Sequence, residues 1–198
     1  MNLDKTMENL RSRGFKVSHF GTSAEAANYL VESIRGTTVG IGGSMTVKAL
    51  DVYDRLCESN TVYWHWAENA DSGTTLSATN APVYLCSANA VAETGEILNI
   101  DGRGNRVAAT LYNKKKVYII IGVNKIAEDF DSALFRARNT AARLNAIRFG
   151  KKTPCVVLGK CTDCRSPERI CGCLVVHWEK PLGVEEMEVV IIDEELGY

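Results

Sequence analysis

Four cysteines lie within thirteen residues near the end of the chain, in the stretch CTDCRSPERICGC from Cys161 to Cys173. Thiolates are the ligands that zinc and iron-sulfur clusters select, and a CxxC pair directs two of them at one metal. Cys161 and Cys164 form such a pair, and Cys171 and Cys173 return after a Ser-Pro bend. The spacing predicts a local metal site formed by these four residues. The alternative is four reduced thiols that pack a C-terminal lobe.

The identity of the metal stays open at this point. The spacing is not that of a standard ferredoxin, and the second half of the motif is CxC rather than the CxxC of common zinc knuckles. The chain has seven cysteines. An odd number in a chain that begins without an export signal argues against a disulfide framework and favours reduced thiols, metal ligation or redox chemistry.

A second candidate site lies in VGIGGSMTVKAL, residues 39–50. A strand that ends in glycines and leads into a helix places free backbone N–H groups at the positive end of that helix, where an anion can bind. The segment therefore predicts anion binding by Gly42, Gly43, Ser44 and Thr46. It matches neither GxGxxG nor a Walker loop, so no nucleotide cofactor motif is present. The alternative is a tight turn in which Ser44 only caps the helix.

Further polar residues lie next to predicted strands. Asn124 and Lys125 follow the apolar run VYIIIGV and would project from the carboxyl edge of a sheet, where open α/β sheets bind ligands. Lys125 could neutralise a carboxylate or phosphate. Glu93, at a strand end in AETGE, could act as nucleophile or general base if it faced a pocket, and is otherwise a solvated turn carboxylate. Arg106, beside the turn DGRGN, is an outside candidate for anion binding.

Helical and β-rich segments alternate along the chain, which predicts an α/β fold with an open, largely parallel sheet and helices on both faces. We predict one domain over residues 1–198, with residues 155–198 as a cysteine-containing C-terminal segment. The polar stretch 68–80 is predicted to be a loop, PCVVLG (154–159) a strand, and residues 130–149 a long helix. The three histidines fall in strand-like runs and are predicted to be structural.

Charge and hydropathy exclude several classes of protein. The formal net charge is -1, from 23 basic and 24 acidic residues, which gives no reason to expect nucleic acid or an anionic membrane as a partner. The polar start MNLDKTMENLRSRGF is unlike a secretory signal, and no apolar run is long enough to span a bilayer. We therefore expect a cytoplasmic protein without membrane insertion.

The segments IGGSMTV, ANAVAETGEIL and GVNKI, together with CTDCRSPERIC and the tail EELGY, resemble the lactate-utilization (LUD, formerly DUF162) domain family over nearly the whole chain. The resemblance implies a fold of the NagB/RpiA/CoA-transferase-like group, in which a Gly-Ser-Thr loop after a strand grips an anionic part of the ligand. CoA transferases of that group carry a nucleophilic glutamate in a place comparable to that of Glu93.

The resemblance also implies a setting, the oxidation of lactate to pyruvate in company with iron-sulfur redox subunits. It favours an iron-sulfur cluster at the cysteines, with zinc as the second choice. In the family motif the first three cysteines are the regular ones, so Cys155 or an outside group could replace Cys173. A homodimer is expected on general grounds.

The predicted function is a component of lactate or related 2-hydroxy-acid utilization that binds a small anionic ligand and a metal centre. One alternative is an isomerase or CoA-transferase-like enzyme that acts on a phosphorylated or CoA-linked substrate through Glu93. A further alternative is an assembly subunit without catalytic activity.

Overall fold

The structure, a computed structural model, describes residues 1–68 and 70–198. Ten strands are present in this part of the chain: β1 (Lys16–Phe20), β2 (Thr38–Ile41), β3 (Thr61–Trp64), β4 (Val83–Cys86), β5 (Ala90–Ala92), β6 (Ile97–Asp101), β7 (Lys114–Gly122), β8 (Ile126–Ala127), β9 (Cys173–His177) and β10 (Val184–Ile192). The α-helices in the same part are α1 (Leu3–Ser12), α2 (Ser23–Ser33), α3 (Met45–Ala49), α4 (Tyr53–Cys57), α5 (Ser72–Asn80), α6 (Asn105–Ala108), α7 (Phe130–Arg136), α8 (Ala142–Arg148) and α9 (Pro154–Leu158).

The main sheet has six strands in the order β1-β10-β7-β4-β2-β3, and every neighbouring pair is parallel. The C-terminal halves of the two central strands, β7 and β10, are continuous apolar runs, because a parallel sheet covered on both faces buries both sets of side chains. Alternate residues of β7 confirm this. Tyr118 and Ile120 pack with α2 and α4, whereas Ile119 and Ile121 pack with Leu10 of α1. The prediction of an open parallel sheet with helices on both faces is confirmed.

A second sheet of four strands, in the order β8-β5-β6-β9, lies beside the main one. Its strand β9 pairs antiparallel with β6, and β10 inserts between β1 and β7 of the main sheet. Residues 155–198 therefore contribute strands to both sheets instead of forming a separate appendage.

Two predicted elements are wrong. Residues 72–80 form helix α5 instead of a loop, because Asp71 and Thr74 build a capping box at its start. Residues 154–158 form helix α9 instead of a strand, with Pro154 in its first turn and Gly159 in the left-handed conformation just after it. In both cases a local cap outweighs the composition of the segment.

The long helix predicted at 130–149 is present, but it is interrupted by a π-helical turn at Ala137–Ala141 between α7 and α8. None of the helices in the described part of the chain is long and apolar enough to cross a membrane.

A buried ion pair joins the central strands. Glu188 of β10 is fully buried, and its Oε2 lies 2.7 Å from Nζ of Lys116 on β7. Ser18 Oγ and Tyr29 Oη donate hydrogen bonds to Oε1 at 2.6 and 2.7 Å. Burial alone would raise the pKa of Glu188, but the hydrogen bonds from Lys116, Ser18 and Tyr29 outweigh it and lower that pKa. The carboxylate thus ties β1, β7, β10 and α2 together in its charged form.

Replacing Glu188 with Gln should lower the free energy of unfolding at pH 7 by about 3 kcal/mol, because Lys116 keeps its charge and loses its buried counterion. A group whose pKa is lowered on folding stabilises the fold above its unfolded pKa, and that contribution is lost as the pH falls through the folded value. The difference between parent and variant should therefore shrink in acid. Urea unfolding at several pH values measures this.

The matched control is Glu186→Gln, because the more exposed Glu186 contacts the same lysine. This substitution should lower the free energy of unfolding by less than about 1 kcal/mol, which is what the loss of a surface ion pair usually costs. An equal loss of stability in both variants would show that the contribution of the ion pair does not depend on the burial of Glu188.

Candidate functional site

A cleft of about 730 Å³ opens at the carboxyl edge of the main sheet. Its walls include segments that directly follow four parallel strands, which is where open α/β sheets bind ligands. These segments supply Gly43 and Ser44 after β2, His65 and Trp66 after β3, Ser87, Ala88 and Asn89 after β4, and Lys125 after β7.

Lys125 lies on the floor of this cleft and is only 3% exposed. Its Nζ donates hydrogen bonds to Thr46 Oγ1 at 2.8 Å, Ser87 Oγ at 2.9 Å and the Ala88 carbonyl oxygen at 3.1 Å. Lys125 forms no ion pair with a carboxylate of the described residues. Its charge is therefore solvated by dipoles alone.

The environment of Lys125 disfavours its protonated form. Burial lowers the pKa of Lys125, and the nearby guanidinium groups of Arg136 and Arg106 lower it further, to about 7. At neutral pH about half of the molecules therefore carry an unprotonated amine at this position. A buried amine of this kind can act as a base or a nucleophile.

Arg106 lines the cleft, but its guanidinium already donates hydrogen bonds to acceptors of the protein. Nη1 donates to the Ser87 carbonyl oxygen at 3.1 Å and to Asn99 Oδ1, Nη2 donates to the Ile100 carbonyl oxygen at 2.7 Å, and Nε lies 3.3 Å from Asp101 Oδ2. Arg106 thus adds positive charge to the cleft and holds its wall together. Asp101 also shapes the turn that follows it, since its carboxylate accepts from the backbone N–H of Gly104.

The glycine loop contributes in two ways. Gly43 and Ser44 line the cleft, whereas Thr46 is fully buried and faces Lys125. Ser44 also caps α3, because its Oγ accepts from Val47 N at 3.2 Å, as the alternative interpretation expected. At Gly42 a Cβ would lie 2.6 Å from Tyr84 Oη, so only glycine allows this close approach.

Two buried polar atoms lie near the loop, on Tyr84 and His65. Within the part of the chain that the structure describes, Tyr84 Oη and His65 Nε2 have no hydrogen-bond partner. Burial and the charge of Arg103 lower the pKa of His65, so the ring is neutral at physiological pH. His65 lines the cleft, where it can serve a ligand as donor or acceptor.

Two predicted residues lie elsewhere. Asn124 Oδ1 accepts from Leu196 N at 3.1 Å, and its carbonyl oxygen accepts from Arg136 Nε at 2.8 Å. Glu93 lines a separate pocket of about 420 Å³, where its Oε1 accepts from Asn2 N at 2.7 Å. Neither residue lines the large cleft. Their predicted roles toward a ligand stay predictions.

The cleft is positively charged. Besides Lys125, five of its lining side chains are cationic and two are carboxylates: Arg103, Arg106, Arg148, Lys151 and Arg169 against Asp101 and Glu168. Arg148 packs over the rings of Trp66 and Phe149, at 5.2 and 4.0 Å from the ring centroids. Such a surface attracts anions.

Several of these residues were not foreseen. Ser87, Ala88 and Asn89 directly follow the apolar strand PVYLC, so the rule that ligands bind at carboxyl edges would have found them. The same rule applies to His65, which was predicted to be structural. No local pattern marks Arg136 or Arg148, which enter the site from a helix that is remote in sequence.

The cysteine segment forms part of the cleft wall through Pro167, Glu168, Arg169 and Ile170. Arg169 donates to the carbonyl oxygens of Cys164 and Cys171, at 2.6 and 2.8 Å, and so closes the loop between them. Burial raises the pKa of the Cys171 thiol. Arg169 opposes this effect, and the thiols of Cys161, Cys155 and Cys164 raise that pKa further.

The charges of Cys155 and of the CxxC pair thus both act on the Cys171 thiol. Cys173 instead begins β9, and its Sγ lies 3.6 Å from the carbonyl oxygen of Asp101. No set of three or more His, Cys, Asp or Glu side chains is arranged to hold a metal ion in residues 1–68 and 70–198. The predicted site at Cys161, Cys164, Cys171 and Cys173 stays a prediction.

Comparison with known proteins gives two similarities. A family model described as LUD domain matches residues 3–192. Among solved structures, the chain is similar to a DUF162 family protein from Deinococcus radiodurans, at 13% sequence identity and a TM-score of 0.57, over 96% of this chain and 95% of that one. At this identity the similarity concerns the fold alone. No curated protein matches the chain.

The buried amine of Lys125 should give stability a characteristic dependence on pH. Between the folded pKa of about 7 and the ordinary value of 10.5, the unfolded chain binds a proton that the folded chain does not. Stability therefore rises with pH in this window, and the cost of burying the amine is fully present below it. In thermal unfolding experiments from pH 6 to 10, the stability of the parent should therefore increase relative to that of Lys125→Met as the pH rises.

Lys125→Arg is the matched control, because a guanidinium keeps the charge but does not titrate in this range. The stability of the parent should rise with pH relative to that of either variant, and by a similar amount in the two comparisons. Parallel curves for the parent and the two variants would contradict the assignment of a lowered pKa to Lys125.

Proposed function

Because the chain belongs to the LUD domain family, which is associated with lactate utilization, we propose that it binds lactate or a related 2-hydroxy acid in the cleft. It would act as one component of a system that oxidises this acid to the 2-oxo acid. One observation carries the proposal. Lys125 places a buried amine without a carboxylate partner among the described residues on the floor of a positively charged cleft.

The cleft offers separate groups for the two ends of such a substrate. The carboxylate would lie in the positive field of the cleft, near the backbone of Gly43 and Ser44 and the neutral ring of His65. The C2 oxygen would then lie at Lys125 and Ser87. This arrangement uses the two groups of the cleft floor that can exchange protons.

Oxidation of a 2-hydroxy acid to a 2-oxo acid removes two electrons and two protons. Unprotonated Lys125 can accept the hydroxyl proton, as a general base with a pKa near the working pH does. The C2–H bond breaks as well, so its hydrogen leaves as the second proton, to solvent, and the two electrons require an acceptor. We propose that a partner subunit with an iron-sulfur cluster provides it, and that this chain itself assembles as a homodimer.

A metal centre in the cysteine segment is part of the proposal, with Cys155 in place of Cys173. The four thiols of Cys155, Cys161, Cys164 and Cys171 are soft donors of the kind that iron-sulfur clusters and zinc select. Since no set of three metal ligands is arranged in the described part of the chain, metal binding would draw these thiols together. When bound, an iron-sulfur cluster supplies one-electron transfer.

The size of the cleft favours a second candidate. Pockets for drug-sized ligands measure about 300–1,000 Å³, and this cleft of about 730 Å³ exceeds the needs of a three-carbon acid. Lys151 and Arg169 could hold a phosphate. An isomerase or transferase acting on a phosphorylated or CoA-linked substrate would fit these features. Because Glu93 lies outside the cleft, such chemistry would depend on Lys125 instead.

Ligand binding can be tested at Gly43. A Cβ at Gly43 would lie 3.4 Å from the Trp66 ring, an ordinary contact, whereas a larger side chain would fill the cleft. Gly43→Phe should weaken binding of lactate at least about tenfold, which is about 1.4 kcal/mol, and Gly43→Ala should change it little. Isothermal titration calorimetry measures both affinities.

Glu93→Gln is a further control and should bind lactate as the parent does. Equal affinity in parent and Gly43→Phe would refute binding at the loop. Tighter binding of phosphate esters or CoA than of lactate, with turnover in the absence of an electron acceptor, would favour the second candidate. Binding of a partner protein without any turnover would favour an assembly subunit.

The metal centre can be tested in protein expressed without oxygen and with added iron. The parent should contain near-stoichiometric iron and sulfide, or zinc, and the double variant Cys161→Ser, Cys164→Ser should lose it. Cys155→Ser should also lose the metal, whereas Cys173→Ser and the exposed Cys57→Ser should retain it. Metal analysis and absorbance spectra report the outcome. A metal-free parent together with unchanged thermal stability of the double variant would exclude the site.

A further inference from the structure

The three contacts of Lys125 Nζ are not equivalent. Thr46 Oγ1 donates its own proton to the Leu196 carbonyl oxygen at 3.1 Å, so it accepts from Lys125, and the Ala88 carbonyl oxygen is also an acceptor. A neutral amine has two protons, which these two acceptors satisfy. The lone pair then points along the third contact, toward Ser87 Oγ at 2.9 Å.

This third direction leads to the cleft. Ser87 lines the cleft, whereas Thr46 is fully buried behind Lys125 and does not. If the Ser87 side chain rotates about χ1, its Oγ leaves this direction and the lone pair of Nζ faces a ligand on the floor. The proposed function puts the C2 oxygen of a 2-hydroxy or 2-oxo acid at the same point, and the C2 carbon is bonded to that oxygen.

We propose that Lys125 forms an imine with the carbonyl carbon of a 2-oxo acid bound in the cleft. The inference rests on the proposed function, because it takes the ligand class and its orientation from there. It adds a covalent step that proton transfer alone does not require, and it assigns the bound 2-oxo acid, the product of the proposed oxidation, as the reacting species.

The reaction is balanced without an oxidant or reductant. The lone pair of Nζ forms a bond to the carbonyl carbon, and the carbonyl π electrons move to the oxygen, which takes up a proton. The resulting carbinolamine loses its hydroxyl group as water after a second proton transfer, and a carbon–nitrogen double bond forms. Amine and 2-oxo acid thus give imine and water. Ser87 Oγ, next to Nζ, is placed to relay protons to the departing oxygen.

The surrounding charges support this role. Backbone carbonyl oxygens hold both arginines in place. Arg106 Nη2 donates to the Ile100 carbonyl oxygen at 2.7 Å, and Arg136 Nε donates to the Asn124 carbonyl oxygen at 2.8 Å. Fixed positive charge keeps a neighbouring amine unprotonated and attracts the carboxylate of the ligand. An ordinary surface lysine, with a pKa near 10.4, has only about one molecule in a thousand unprotonated at neutral pH.

The test is reductive trapping. The full chain is incubated with pyruvate and sodium cyanoborohydride, which reduces an imine to a stable secondary amine. Peptide mass spectrometry should find Lys125 carrying the mass of pyruvic acid less one oxygen atom, at least about tenfold more often than any other lysine. Trapping should rise from pH 6 to 8 and then level off, following the unprotonated amine.

Lys125→Arg and Lys125→Met serve as two matched controls, and both should lose the trapped adduct while thermal unfolding shows that they are folded. Ser87→Ala should keep the adduct but slow its formation, because the proton relay is lost. Calorimetry with pyruvate is run in parallel.

The outcomes separate the two proposals. Binding of pyruvate without any trapped adduct on Lys125 would overturn the imine and leave the proposed function intact. Equal labelling of many lysines would overturn the imine as well. If neither pyruvate nor lactate binds, the proposed function and the imine fail together.

Discussion

The hydrogen bonds of the Lys125 amine connect segments that are far apart in the chain. Thr46 follows β2, Ser87 and Ala88 follow β4, and Lys125 follows β7. The parallel sheet makes this possible, because it brings the carboxyl ends of these strands to one edge. The cleft floor is defined by this contact, and the other features of the site are arranged around it.

Burying an amine without a counterion is unfavourable, and the structure places two guanidinium groups close to it as well. Both arginines are held by carbonyl oxygens of the segments that frame the cleft. Such an arrangement adds little to stability on its own. It is typical of a functional site.

The cysteine segment and the cleft share one wall. Arg169, which closes the loop between Cys164 and Cys171, also lines the cleft. The π-helical turn connects to the same segment, since Asn139 accepts a hydrogen bond from Cys161 N at 2.8 Å. Single π-helical turns occur frequently at functional sites.

The sequence by itself determined the fold class and much of the cleft floor. The alternation of helical and β-rich segments predicted a parallel sheet with helices on both faces. The position of Lys125 after an apolar run predicted its place at the carboxyl edge, and the glycines between a strand and a helix predicted the loop at Gly43 and Ser44. These inferences succeed because hydrophobic periodicity and strand ends are local properties of the chain. The family resemblance also came from short segments, which the LUD domain match confirms.

Only the tertiary structure decided which of the candidates meet. The charge of Arg136, from the long helix, acts on Lys125, and that of Cys155, from helix α9, acts on Cys171. Glu93 accepts a hydrogen bond from Asn2 and does not line the cleft. Caps at Asp71 and Gly159 also make residues 72–80 and 154–158 helical, although their composition indicated a loop and a strand. Contacts between residues distant in sequence depend on how the strands are ordered in the sheet, and that order, β1-β10-β7-β4-β2-β3, is not encoded in any single segment.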